Sequence, residues 1–295
     1  MTTVGELVQR IQQRMHSWTG VREATSYLQV AIDTDDLTFQ VANADSTITQ
    51  GMIEVDDELM EVESVEGTTV KILPFGRGSE DSVAASHLLN ARVVNDPWFP
   101  KSAILNNLQE TVMEVCPDLF QVKKTTVNWN ITQIAYGLPA DCDRVLNVSY
   151  DTPGPWKKWP KTKRWVYNPD ADATDFPNGK SIEIYDSIIS GYKVQVTYAA
   201  PYTVPTSTSQ TLASLGIAES AASCLIYGTC WRLMQVMENS RLQLRAAEQF
   251  ARQDSVPAGA TTNLAKQLFA MYSQFRMEER KRLLTLNPSQ PHYTR

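Results

Sequence analysis

The chain has 295 residues, of which 42% are hydrophobic and 20% charged, so it is long enough to bury one or more cores. Its net charge of −6 argues against a general attraction to nucleic acid or to an anionic membrane. The N-terminus lacks the pattern of a signal peptide, and no apolar run approaches the ~20 residues of a membrane helix. We therefore expect no membrane partner.

The first predicted element is an amphipathic helix within residues 1–25. Apolar residues recur every three or four positions from Val4 to Trp18, and Thr3 is placed to cap the helix. Residues 26–99 follow as short runs of β-branched and aromatic residues separated by Asp, Asn and Gly. This pattern predicts a β module, either a small barrel or a sandwich.

The first β module is acidic. Between Ala24 and Val70 it carries eleven acidic residues and no Lys or Arg. Because like charge repels phosphate, this module should not bind nucleic acid. Its carboxylates form either an ordinary solvated face or a charged wall that faces a partner or passing DNA. Within the module, Asp56-Asp57 is typical of a hairpin turn, and a short helical stretch is predicted between Ser79 and His87.

The rest of the chain alternates again between helix and strand. A helix is predicted within residues 100–120, and a second β module within residues 121–205. A helical hairpin follows within residues 206–284, broken at Asp254–Gly259, and residues 285–295 form an extended polar tail. We therefore predict an α+β protein in which a helical bundle or hairpin core carries two β-rich insertions.

No motif for phosphate binding, metal binding or nucleophilic catalysis is present. Gly76-Arg77-Gly78-Ser79 is only a fragment of a phosphate loop and is typical of a tight turn. The three histidines, His16, His87 and His292, lack the i+3 or i+4 spacing of metal ligands on a helix. We expect His87 to pack or cap at a helix end. The sequence therefore predicts no enzyme, no cofactor and no metal.

One cluster combines three tryptophans with five cations within ten residues. Its members are Trp156, Lys157, Lys158, Trp159, Lys161, Lys163, Arg164 and Trp165. Such a cluster can stack bases and neutralise phosphates, or it can anchor a protein interface. It can also be a solvated hairpin tip with its aromatic rings folded back on the sheet. The acidity of the remaining chain favours the interface or the hairpin tip over nucleic acid.

A family resemblance starts in the first β module. The run Gly51-x-Ile53-x-Val55-Asp56-x-Glu58-Leu59-Met60-x-Val62 is followed by Gly76-Arg77-Gly78-Ser79, Ala84-Ala85-x-His87 and Val93-Val94. These residues resemble the β module of neck proteins of tailed bacteriophages, in which an Arg-Gly … Ala-x-x-His … Val segment closes a small barrel. The link Asn95–Pro100, the helix Ile104–Val115 and the ending Pro117-x-Leu119-Phe120 are similar to the same proteins. The resemblance covers roughly a quarter of the chain, and its motifs are structural rather than catalytic.

The resemblance implies a head-to-tail adaptor, made in the host cytoplasm and located in the virion neck between capsid and tail. Such proteins form a twelve-subunit ring beneath the portal protein, and genomic DNA passes through the lumen without specific binding. The implied partners are copies of the chain itself, the portal protein and a downstream tail or neck protein.

Three contact zones follow from that expectation. The tail residues His292, Tyr293, Thr294 and Arg295 would meet the portal. The segment Trp156–Trp165, which carries the cluster of tryptophans and cations and is called the tryptophan-rich loop below, would meet the next tail protein or a decoration. Ring contacts would come from the arginines of the hairpin, namely Arg241, Arg245, Arg276 and Arg280.

Two alternatives stay open at this point. Another virion part, such as a tail terminator or a baseplate component, would show much the same sequence features. A carbohydrate-binding or cell-surface-binding module is the alternative from another class. In that case Trp156, Trp159 and Trp165 would stack on sugar rings.

Overall fold

The structure is a computed structural model and describes residues 1–20, 23–152, 159–186, 188, 191–248 and 260–289. Side chains within 237–248 and 260–261 lie outside this description. The described residues form five α-helices: α1 (Val4–Thr19), α2 (Ala44–Thr47), α3 (Lys101–Glu114), α4 (Ala222–Glu248) and α5 (Ala260–Leu286). The predicted first helix and its cap are confirmed, since the Glu6 amide donates to Thr3 Oγ1 over 3.1 Å.

Thirteen strands are described, and all of their pairings within sheets are antiparallel. In chain order they are β1 (Ala24–Tyr27), β2 (Thr38–Gln40), β3 (Gly51–Val55), β4 (Glu58–Glu66), β5 (Thr69–Arg77), β6 (Arg92–Asn95), β7 (Gln121–Asn128), β8 (Ala135–Gly137), β9 (Arg144–Tyr150), β10 (Lys161–Thr162), β11 (Trp165–Asn168), β12 (Ser181–Ile184) and β13 (Lys193–Ala200). They form a six-stranded, a four-stranded and a three-stranded sheet.

The six-stranded sheet has the order β1-β6-β3-β4-β5-β2 and curls on itself. Its two edge strands approach each other, because a bridge between Leu28 and Val41 extends β1 and β2. The curl encloses a core of apolar residues from every strand except β1, with Phe39 of β2 as its aromatic member. The predicted turn at Asp56-Asp57 is confirmed, since Val55 pairs with Glu58 across it.

The other two sheets share one core. The four-stranded sheet has the order β10-β9-β13-β7, and the three-stranded sheet has the order β11-β12-β8. Val148 and Val196 from the larger sheet cluster with Trp165 and Ile182 from the smaller one. Apolar residues that alternate along strands of both sheets therefore bury each other between the layers.

The predicted helical bundle core carrying two β insertions is wrong. The described residues are rich in strand as well as helix, and the five described helices do not form a bundle core of their own. The apolar faces of α1, α3, α4 and α5 are covered in part by residues outside helices. These include Leu146 of β9, Ala199 of β13, and Tyr202, Leu212 and Leu215 of the connection to α4. A sequence pattern shows that a helix has an apolar face but not which element covers it.

Helix α4 lies between α3 and α5, and Gly228 allows the close approach. A Cβ atom at Gly228 would lie 2.6 Å from Thr111 Cγ2 and 2.9 Å from Tyr272 Cε2. The two helices predicted for residues 206–284 are present as α4 and α5. The break predicted at Asp254–Gly259 lies outside the described residues.

Candidate functional site

Residues that carry the family resemblance converge on one buried carboxylate, Glu58, at the start of β4. Its side chain is 1% exposed. Arg77 donates to it twice, from Nε to Oε1 over 2.7 Å and from Nη2 to Oε2 over 3.0 Å. The backbone amides of Gly78 and Ala85 donate to the same two oxygens over 3.0 and 2.9 Å. A buried carboxylate with this many donors is satisfied in its charged form.

His87 joins Glu58 to the hairpin turn. Its Nε2 lies 2.9 Å from Glu58 Oε2, and its Nδ1 lies 2.9 Å from Asp56 Oδ2. Burial alone would lower the pKa of His87, but the hydrogen bonds to Glu58 and Asp56 outweigh it, so the pKa lies above 6.5. The backbone of His87 also exchanges two hydrogen bonds with Ile32, each 2.9 Å long. The ring therefore lies between two carboxylates, which favour its protonated form.

Arg77 ties a third segment to the cluster. Its Nη1 donates to the carbonyl oxygens of Asp33 and Asp36 over 2.9 and 2.8 Å, and its Nη2 donates to Ala85 O over 2.7 Å. Burial would raise the pKa of Glu58, but the hydrogen bonds from His87, Arg77 and Ala85 lower it from 4.5 to about 2. We call Asp56, Glu58, Arg77 and His87 the Glu58 cluster.

The Glu58 cluster fastens the segment that follows β5 onto the sheet. The short helix predicted between Ser79 and His87 is wrong, because side-chain and backbone contacts to β4 hold this segment in an irregular conformation. His87 was expected at a helix end and instead lies inside the ion cluster. Glu58 and Asp33 were missed as contributors. The only sequence signal was that Glu58 belongs to the resembling run. No local pattern links Glu58 to Arg77, which is 19 positions away, or to His87, which is 29 positions away.

The two described rings of the tryptophan-rich loop do not share one surface. Trp165 is 2% exposed and packs in the core of the two smaller sheets, whereas Trp159 is 37% exposed. Lys161, Lys163 and Arg164 are exposed on and beside β10. Trp156, Lys157 and Lys158 lie outside the described residues.

The described hairpin arginines pair within the chain. Arg276 lies 2.9 Å from Asp118 and 3.5 Å from Glu114, and Arg280 lies 3.5 Å from Asp118. These pairs join α5 to the last residue of α3, Glu114, and to Asp118 beyond the end of that helix. Arg241 and Arg245 belong to α4, but their side chains lie outside the description. The tail residues His292, Tyr293, Thr294 and Arg295 also lie outside the described residues.

A polar cleft of about 500 Å³ lies between α1, the start of α3 and the connection before α4. Its lining includes Gln9, Gln12, His16 and Arg92, and Lys101 pairs with Asp57 at its side over 3.1 Å. The buried Glu54 accepts a 2.6 Å hydrogen bond from the Lys101 amide. Burial raises the pKa of Glu54 to about 7, against the opposing effect of Lys101.

The cleft has polar walls, and Thr208 Oγ1 donates to the Asp57 carboxylate within it over 2.8 Å. Its lining contains hydroxyls at Thr208 and Ser209 and one imidazole at His16. In the described part of the chain, His16 contacts the carboxylate of Glu23 rather than either hydroxyl. Within the same residues, no three His, Cys, Asp or Glu side chains converge as metal ligands would. Nor do those residues include a helix that is long and apolar enough to cross a membrane.

In comparisons with known proteins, no family model matches the chain, and no curated protein matches it.

Proposed function

We propose that this chain is a structural virion protein of a tailed bacteriophage, a head-to-tail adaptor that forms a ring between portal and tail. The observation that carries the proposal is the convergence of the resembling residues on Glu58. Arg77, Gly78, Ala85 and His87 come from two separate motifs of the resemblance, and all four contact this carboxylate.

The chemistry of the Glu58 cluster supports a structural role. Both carboxylate oxygens of Glu58 and both ring nitrogens of His87 are engaged within the chain. A catalytic carboxylate or imidazole needs an unengaged position that faces a substrate. The cluster instead closes the acidic module, whose charge repels DNA and suits a protein that the genome passes without binding.

The burial of Trp165 weighs against the carbohydrate-binding alternative. Stacking on sugar rings requires exposed aromatic faces, and this ring lies in the core between two sheets. Of the two described tryptophans of the tryptophan-rich loop, Trp159 alone retains an exposed aromatic face.

Binding to a portal ring tests the proposal. The purified chain would be mixed with purified dodecameric portal rings from tailed bacteriophages, and the particles would be imaged by electron microscopy. We expect added density, with the rotational symmetry of a ring, on one face of the portal. A chain that stays monomeric and leaves every portal ring undecorated would contradict the proposal.

Two matched variants separate the expected contact zones. Replacing His292, Tyr293 and Arg295 by Ser should abolish portal binding, because these residues are assigned to the portal contact. Replacing the exposed Lys163 and Arg164 by Ser should leave portal binding intact, because that loop is assigned to the tail side. Equal effects of the two variants on portal binding would contradict this assignment of zones.

A further inference from the structure

The chain is strongly asymmetric in charge. Residues 24–99 contain fourteen acidic and three basic residues, whereas the rest of the chain contains nineteen acidic and twenty-four basic residues. The first β module therefore has a negative charge much larger than that of the whole chain, and the remainder is net positive. Two copies attract each other best when the acidic module of one faces a basic surface of the next.

An aromatic side chain projects from the acidic module. In the β4–β5 ladder, Met60 pairs with Arg77 and Val62 pairs with Ile72, so four residues of β5 bulge outward opposite Glu61 alone. Phe75 lies at this bulge and is fully exposed. Its φ of 67° is in the left-handed region, which a bulky side chain rarely adopts.

Gly76 fixes the bulge against the sheet. A Cβ atom at Gly76 would lie 3.0 Å from both Glu61 O and Leu73 O, so the backbone packs here without room for a side chain. Phe75 is thus presented from a backbone that is anchored directly after it. A large ring held on a fixed backbone is typical of residues that dominate protein interfaces. The exposed Glu61 lies opposite the same bulge.

A surface of complementary character lies on α5. Met277 and Leu284 are seven positions apart, share one face of the helix, and are 64% and 38% exposed. With Arg280, Lys281 and Thr285 they line a shallow groove of about 370 Å³. Among the described residues Lys281 makes no ion pair, and the Arg280 side chain is 54% exposed. The groove is therefore apolar along its length and positive at its side.

We propose that Phe75 of one copy inserts into the Met277–Leu284 groove of the next copy, with Glu61 beside Lys281. This inference rests on the proposed function and names the contact that would build the ring. The two surfaces lie on different parts of the chain, so the contact is head-to-tail and repeats from copy to copy. Head-to-tail contacts give rings when the rotation between copies closes.

Two complementary variants test the contact. Phe75→Ser removes the projecting ring, and Met277→Ser with Leu284→Ser removes the groove. All three side chains are exposed, so neither variant removes core packing. We expect each variant alone to self-associate at least ~10-fold more weakly than the wild type, measured by sedimentation velocity. Val83→Ser, which removes another highly exposed apolar side chain of the same module, should leave association unchanged.

Mixing gives the sharpest outcome. An equimolar mixture of the two variants has one intact contact per pair, so we expect dimers that grow no further. A charge exchange checks the polar part: Lys281→Glu should weaken association, and adding Glu61→Lys should restore it. Wild-type-like assembly of Phe75→Ser, or a mixture that forms no dimers, would overturn the proposed contact.

The failure of this contact can be told apart from the failure of the adaptor function. The association of each variant is measured both alone and with portal rings. Each variant is compared with the wild type in whichever of the two conditions the wild type assembles. Rings that bind the portal even with Phe75→Ser would refute the contact and leave the adaptor standing. Association that depends on Phe75 but leaves portal rings undecorated would refute the adaptor and leave the contact standing. A wild type that remains monomeric in both conditions would refute both.

Discussion

Replacing Glu58 by Gln should destabilise the first β module more than any exposed substitution in it. The change keeps the shape of the side chain but removes the charge that Arg77 and His87 surround. The fall in the pKa of Glu58 from 4.5 to about 2 corresponds to about 3 kcal/mol of stability at pH 7. Breaking a buried ion pair on one side typically costs about 3–5 kcal/mol, since it leaves buried charge uncompensated.

Hydrogen exchange over residues 76–95 measures this effect locally. A loss of about 3 kcal/mol lowers the protection of amides in this segment by a factor of more than ~100. Glu66→Gln is the matched control, because Glu66 lies on the same strand and is exposed. We expect the control to stay within about 0.5 kcal/mol of the wild type.

The pH dependence gives an independent signature. Because the pKa of Glu58 is lowered in the folded chain, its stabilisation is present above pH 4.5 and is lost as the pH falls towards 2. The difference between Glu58→Gln and the wild type should therefore shrink below pH 4.5. Equal protection in Glu58→Gln, Glu66→Gln and the wild type at pH 7 would refute the reasoning.

Three further substitutions test the energetics of the fold. Burial raises the pKa of Glu54 to about 7. Between pH 4.5 and 7 the folded chain therefore keeps a proton that the unfolded chain has released, and the free energy of unfolding falls as the pH rises through that range. Glu54→Gln should therefore be more stable than the wild type by up to about 3 kcal/mol in urea unfolding at pH 8 and nearly equal to it at pH 4.5. Trp165→Ala should cost about 3–5 kcal/mol in the same assay, whereas Trp159→Ala at the surface should cost less than about 1 kcal/mol; equal costs would contradict the burial of Trp165. Gly228→Ala should cost about 1–3 kcal/mol in thermal unfolding, because its Cβ would force α3 and α5 away from α4; an unchanged melting temperature would contradict that packing.

Local signals in the sequence predicted individual elements well. The three-to-four spacing of apolar residues marked α1, α3, α4 and α5, and Thr3 marked the start of α1. The paired aspartates marked the turn between β3 and β4. Each of these signals depends on residues within one or two turns of chain, so neighbouring residues suffice to read it.

The assembly of those elements could not be read in the same way. Leu146 and Ala199 lie on strands of the four-stranded sheet, yet they complete the core on which the helices pack. The spacing of apolar residues shows that a helix has an apolar face but does not identify the element that covers it. A helical bundle was therefore predicted, whereas strand residues and a connecting segment also cover these helix faces in the structure.

The Glu58 cluster was predictable only as a group of residues. The resemblance marked Glu58, Arg77 and His87 without giving any contact between them. Their meeting depends on the register of β4 against β5, where Met60 pairs with Arg77, and on the bridge between His87 and Ile32. Sequence spacing does not encode such a register, because a bulge in β5 shifts it by several residues.

The mass and symmetry of the purified chain, measured alone and with portal rings, test the central claim most directly. Light scattering would give the mass of the purified chain alone and after mixing with portal rings, and electron microscopy would show its symmetry. A head-to-tail adaptor should form a closed ring with an open channel, either alone or on the portal. A chain that remains monomeric at every concentration and in the presence of portal rings would contradict the account.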